Sequence, residues 1–227
     1  MAFTGFGTSV QEYFAELGRN NQKAWFEAQR SRYETEVLGP AEAFIGDLGS
    51  RLSETLPGIR FDTRRNGAGS LMRINRDIRF SPDKRPYKEN LGIIFWFGDG
   101  KKVESPSLYF HIDAATCFFY GGQHVFPKET LLAYREAVAA DASGTKLASI
   151  LSKLEAQGLK SFEEPSYKRV PGGYPADHPR STLLRSSGLG AARVLEAKAI
   201  SQAALVAQCA DDAARMKPLL EWIMGLG

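Results

Sequence analysis

Leu91-Gly92-Ile93-Ile94-Phe95-Trp96-Phe97, Ser107-Leu108-Tyr109-Phe110-His111-Ile112-Asp113 and Cys117-Phe118-Phe119-Tyr120 decide the fold. Each stretch is short and rich in β-branched and aromatic side chains, which suit a pleated, half-buried surface. Gly98-Asp99-Gly100 and Ala114-Ala115 separate them, so the three predict strands of an antiparallel meander. Upstream, the basic, alternating run 61–80 predicts further strand.

Helical patterns lie on either side. Ser9-Val10-Gln11-Glu12 reads as a capping box, in which the serine hydroxyl accepts a first-turn N–H and the glutamate reaches back. It opens a helix that puts Val10, Tyr13, Phe14 and Leu17 on one face and stops at Gly18. Asn20 or Asn21 caps a second helix carrying Trp25, Phe26, Tyr33 and Val37, which Gly39-Pro40 ends. The same proline opens a third, with Phe44, Ile45, Leu48, Leu52 and Leu56 as its apolar stripe. After Pro127 come two more, one with Leu131, Leu132, Arg135 and Val138, the next with Leu147, Ile150, Leu151 and Leu154. Residues 158–179, rich in Pro and Gly, predict an ordered loop. A last helix starts near Ser201, carries Leu205, Val206, Cys209, Met216, Leu220 and Ile223, and kinks or breaks at Pro218. Helices, then strands, then helices is an α+β order: N-terminal helices, a central mostly antiparallel sheet, and C-terminal helices packed on it. No repeat or linker divides the chain, so residues 1–227 read as a single domain.

A chain of 227 residues with 43% hydrophobic and 24% charged residues builds a full core without staples. Cys117 and Cys209 lack metal or redox spacing and read as buried free thiols. The run 91–97 is far too short to span a bilayer and the first residues lack the apolar core of a signal peptide, which predicts a cytoplasmic protein with no membrane partner. A net charge of +3 admits an anionic ligand without the basic excess usual in nucleic-acid binders. Neither a P-loop nor G-x-G-x-x-G nor G-x-S-x-G occurs, so no cofactor and no metal is expected.

The densest polar stretch is 73–88, where Arg73, Arg76, Arg79, Lys84, Arg85 and Lys88 face only Asp77 and Asp83. If its first half is extended, Arg73, Asn75, Asp77 and Arg79 share one face while Ile74, Ile78 and Phe80 anchor the other in the core. Ser81-Pro82-Asp83-Lys84 has turn chemistry and would fold Lys84, Tyr87 and Lys88 back on the arginines. Three readings follow. Planar guanidinium groups match carboxylate and phosphate oxygens, so Arg73, Arg76, Arg79, Lys84 and Lys88 could hold a small anion, with Asp77 orienting them and Tyr87 donating a directional bond. The same cations, with Arg64, Arg65, Phe80 and Tyr87, could track a nucleic-acid backbone. Or the arginines and aspartates form an internal ion network with a structural role. Were the protein an enzyme, Asp77, Asp83 and His111 are the available acid/base groups. His111 and Asp113 alternate on one strand and share a face, as a base and its orienter, as two metal ligands whose third is missing from any recognisable spacing (His124 is the one nearby candidate), or as a histidine satisfied by its neighbour. His178 sits in Asp177-His178-Pro179, a loop-capping pattern.

The positions Arg73, Arg76, Asp77, Arg79, Phe80, Asp83, Lys84 and Tyr87 together resemble the signature of an uncharacterised bacterial family, the domain of unknown function DUF2461. Phe3-x-Gly5-Phe6, Asn20-Asn21-x-x-x-Trp25-Phe26 and Tyr174-Pro175-x-Asp177-His178-Pro179 resemble it too, so the likeness spans essentially the whole chain. The resemblance implies that the motif is a family trait, whether as a site or as a structural keystone. It brings no activity with it.

Overall fold

A computed structural model describes residues 2–65, 67–162 and 165–226. Helices α1 (Thr8–Arg19), α2 (Lys23–Ala28), α3 (Arg30–Arg32) and α4 (Gly39–Thr55) come first, with a π-helical turn, Tyr33–Leu38, leading into α4. The chain continues through β1 (Ile59–Arg60), β2 (Asn90–Phe97), β3 (Ser107–Asp113) and β4 (Cys117–Gln123). After α5 (Lys128–Ala139) and α6 (Asp141–Ala156) come β5 (Lys160–Ser161), α7 (Ser181–Leu184), β6 (Leu189–Val194), α8 (Ala197–Ile200) and α9 (Leu205–Met224). The strands form one antiparallel sheet in the order β1-β2-β3-β4-β6-β5, with helices at both ends of the chain, a mixed α+β architecture.

The three deciding strands stand where their composition puts them, and the turn at Ala114-Ala115 is tight because the Asp113 carboxylate accepts the Ala115 and Thr116 amides at 2.8 and 2.6 Å. Gly98-Asp99-Gly100 instead begins a longer connection that includes a 3-10 turn, Lys102–Glu104. Cys117 and Cys209 are buried free thiols.

Other expectations are corrected. No side chain caps α1: Gly7 is its extended N-cap and Ser9 already lies within the helix, so the capping box does not form. Gly39-Pro40 does not end a helix. Leu38 and Gly39 keep right-handed helical angles and the Gly39 amide bonds Glu34 O, five residues back, so the wide π turn carries the chain onto Pro40, whose missing N–H is harmless in a first turn. The run 61–80 forms no regular strand. Ser70 N bonds Asp62 O at 2.7 Å, folding the segment on itself, and its ties to the strand run 87–94 are the isolated bridges Leu71↔Ile93 and Asn75↔Tyr87. Phe80, expected in the core, is 94% exposed. The last helix starts at Leu205 rather than Ser201 and runs unbroken through Pro218. Within the loop expected at 158–179, β5 forms a short strand, and Glu163 and Glu164 lie outside the described residues.

The chain divides into two compact units, Met1–Phe95 with Tyr109–Phe119 and Val194–Asp211, and Trp96–Leu108 with Tyr120–Arg193 and Asp212–Gly227. In the first, Phe3, Phe6, Phe44 and Phe110 pack ring on ring, with Phe6 stacked on Phe110 at 5.5 Å and Phe44 4.6 Å from Phe110. Burying each such side chain contributes about 2–3 kcal/mol. In the second, Tyr134 packs on Phe126 and Trp222 and donates its hydroxyl to Leu183 O at 3.0 Å. There the fully buried Asp212 accepts Arg193 at 2.6 and 2.9 Å and Arg215 at 2.9 Å, so its charge is compensated on both oxygens.

Candidate functional site

The motif 73–88 is a loop folded back on itself. Arg76 N donates to Pro86 O at 2.9 Å and Lys88 N to Ile74 O at 2.7 Å. At its tip the Ser81 amide and the Lys84 ammonium both reach Ile78 O, at 3.4 and 3.0 Å. The loop's charges are consumed locally. Asp83 accepts Arg76 Nη1 at 2.7 Å and Arg85 Nε and Nη2 at 3.0 and 2.7 Å, and Arg85 Nη1 also reaches Glu89 Oε1 at 2.7 Å. Arg79 grips Asp77 with Nε and Nη2 at 2.9 and 2.6 Å, out in solvent. Arg73 lies with its stem against Gly67, whose φ of +76° and lack of a Cβ leave room for it. The bonds from Arg79 hold the Asp77 carboxyl at about 2, and those from Arg85 and Arg76 hold Asp83 well below the usual carboxylate range. Two carboxylates so firmly ionised, with their oxygens already accepting arginine donors, make weak proton acceptors.

Tyr87 belongs to the packing. Its ring stacks on Phe26 at 4.2 Å, and Asn21 binds its backbone on both sides, accepting the amide at 3.1 Å and donating to the carbonyl at 3.0 Å. The same Asn21 amide donates to Glu89 Oε1 at 2.8 Å. Asn21, Phe26 and Tyr87, read from separate stretches of sequence, thus form one joint that docks the end of the loop on the first helices.

The other side of this chain segment is different. Tyr87 and Glu89 turn towards Phe26 and Asn21, and past them Asn90 opens β2 alongside β3. There, His111 Nε2 meets Asp113 Oδ2 at 2.9 Å, while His111 Nδ1 lies 3.4 Å from Asn90 Nδ2 and 3.5 Å from the Tyr109 hydroxyl. Phe118 stacks on the imidazole at 4.7 Å and 13°, fixing its plane. Gly92 makes room for Tyr109, since a Cβ there would stand 2.6 Å from the phenol oxygen.

Electrostatics on this face follow from burial. Burial alone would raise the Asp113 carboxyl, but the bonds from His111, from the Ala115 and Thr116 amides and from the Thr116 hydroxyl outweigh it and hold it at about 2. Burial pushes the Tyr109 phenol up, against an opposing bond from Asn90, so it stays a neutral donor. Lys88 is half-buried, and loss of hydration lowers its ammonium; among the described residues no carboxylate forms an ion pair with it.

The fold therefore separates the residues singled out in the sequence. Arg76, Asp77, Arg79, Asp83 and Lys84 belong to the self-bonded loop, Tyr87 to the helix joint and His111 to the sheet face, while Lys88 lies half-buried just before β2. Asn90 was not legible as a site residue, because only the pairing of β2 with β3 brings it to His111, whereas Tyr109 shares the His111 face by alternation along β3. His178 caps its own loop, accepting the Arg180 amide on Nδ1 at 3.0 Å. Gly121 and Gly122 serve close packing: a Cβ on Gly121 would stand 2.7 Å from Met216 Sδ. Among the described residues no group of three or more His, Cys, Asp or Glu side chains is placed to hold a metal ion, and no helix is long and apolar enough to cross a membrane. The family model described as "Conserved hypothetical protein (DUF2461)" matches residues 9–222. No curated protein and no solved structure matches the chain.

Proposed function

The chain belongs to the DUF2461 family, and because that description assigns no activity, we propose from its own residues that it binds a small phosphate- or carboxylate-bearing ligand on the polar face of β2 and β3. Lys88 carries this reading. A half-buried ammonium that has given up part of its hydration without an ion-pair partner is stabilised by an arriving anion. The Asn90 amide and the Tyr109 hydroxyl, gathered around His111, supply directional donors. The loop 76–85 then acts as a brace, since Arg76, Arg79 and Arg85 are each held by a carboxylate. For the same reason a nucleic-acid backbone is the poorer fit. A cytoplasmic location accords with two free thiols.

A thermal-shift titration with inorganic phosphate and with acetate tests the reading on wild type, Lys88→Met and Arg79→Ala. At a hundred times the dissociation constant a ligand adds about 2.7 kcal/mol, a rise of roughly 5–10 °C for a chain of this size. The rise is expected in wild type and Arg79→Ala and is lost in Lys88→Met. A rise lost in Arg79→Ala and kept in Lys88→Met would return the site to the loop.

A further inference from the structure

We propose that this face hydrolyses acyl esters, with His111 as the general base for an attacking water; the proposal rests on the anion-site reading, because Lys88 and Asn90 must also hold the developing oxyanion.

The argument starts from where the imidazole proton sits. Asp113 accepts the Thr116 hydroxyl and two amides besides His111, an environment that keeps it ionised and purely an acceptor. His111 Nε2 therefore carries the ring proton towards Asp113, and Nδ1 keeps its lone pair. The neighbours of Nδ1, at 3.4 and 3.5 Å, stand at the outer limit of hydrogen bonding and leave that lone pair weakly engaged. The Phe118 stack and the Asp113 bond hold the ring still. A base oriented by a third group is the recurring arrangement of hydrolytic sites.

The two hydroxyls nearest His111 are poor nucleophiles: burial keeps the Tyr109 phenol protonated, and the Thr116 hydroxyl donates to an Asp113 carboxylate that two amides and His111 already hold ionised. Water is then the nucleophile. Its oxygen attacks the ester carbonyl carbon as His111 Nδ1 takes its proton, and the carbonyl π pair moves onto oxygen, facing Lys88 and Asn90. Collapse of the tetrahedral species breaks the bond to the leaving alkoxide, which takes the proton back from the imidazolium. An ester and one water become an acid and an alcohol. Asp113 is a positioning residue, acting through the imidazole.

The test is hydrolysis of p-nitrophenyl acetate, with p-nitrophenyl phosphate alongside, by the full chain and by His111→Gln and Asp113→Asn, each with its melting temperature measured. General-base catalysis contributes about 100- to 10,000-fold. Loss of that order in His111→Gln at an unchanged melting temperature supports the proposal. So does a lowered kcat with unaltered KM in Asp113→Asn, which serves should His111→Gln fail to fold. Acetate-ester hydrolysis no faster than with free imidazole, turnover indifferent to both substitutions, or turnover of the phosphate ester alone would overturn it. A phosphate- or acetate-induced thermal shift that survives such a failure would leave the binding reading standing without the chemistry.

Discussion

The loop from Arg76 to Arg85 and the sheet face around His111 are built from the same kinds of side chain and use charge in opposite ways. In the loop every carboxylate faces an arginine two to seven residues away, as when Asp83 takes both Arg76 and Arg85, so the segment closes its own electrostatics and can stand in water. On the face a single hydrogen bond from His111 to Asp113 orients a ring, while Lys88, two residues before Asn90, is half-buried with no ion-pair partner among the described residues. On the proposed reading, density of charge in a sequence is a poor guide to a site, and what marks one is charge or a lone pair that the fold has partly dehydrated without answering.

The contrast can be broken most forcefully at the joint that keeps the regions apart. Asn21→Ala strips two bonds from the buried Tyr87 backbone. At about 1–3 kcal/mol for each group left unsatisfied, urea denaturation should show a loss of roughly 2–5 kcal/mol. A loss below about 1 kcal/mol would mean the loop docks by other means.

Asp113→Asn comes next. The carboxyl sits at about 2 in the fold and near 3.9 when unfolded, so its contribution is complete above about pH 4 and is lost as pH falls through the folded value. After solvent screening that is about 1 kcal/mol, and the substitution should flatten the acid limb of a stability–pH curve between about pH 4 and pH 2. Asp83→Asn acts with the same sign, because Arg85 and Arg76 depress its carboxyl too, but its exposed pairs should give a smaller flattening that salt abolishes. Equal effects of salt on the two variants would erase the distinction between loop and face.

Lys88→Met sharpens it from the other side. The ammonium is lowered by desolvation, so folding disfavours the charged form at neutral pH, and an isosteric apolar stem should leave stability equal or slightly higher in a denaturation curve. A marked destabilisation would make Lys88 a partner in the core and weaken the anion reading. The smallest effect is expected from Arg79→Ala, which removes an exposed pair and should not move the melting temperature beyond error.

Residue chemistry reached the sheet more surely than the loop. Strands 91–97, 107–113 and 117–120 are legible because aromatic and β-branched side chains have few other uses at that density. The run 61–80 misled because alternation describes side chains only, whereas Asp62 and Ser70 bond each other and turn the backbone away from a ladder. Strand β6 escaped notice because Gly190, Ala191 and Ala192 carry no strand composition; Gly190 is small so that the Tyr120 ring can lie against it. At the site, the pairing of His111 with Asp113 could be read from their alternation. Tyr109 could be read the same way, but Asn90 could not, since its nearness depends on how two strands register.

Asn21 also bears on the order in which the chain assembles. The loop's ion pairs join residues 2 to 7 positions apart, but Asn21 and Tyr87 are 66 apart. Closing the longer span costs about 2 kcal/mol more chain entropy than closing seven residues. The hairpin-like loop should therefore form early and wait, docking on the helices only near the end of folding. In native hydrogen exchange the Tyr87 amide would then report a partial opening that frees the whole segment at once, a motion in which the loop swings away intact.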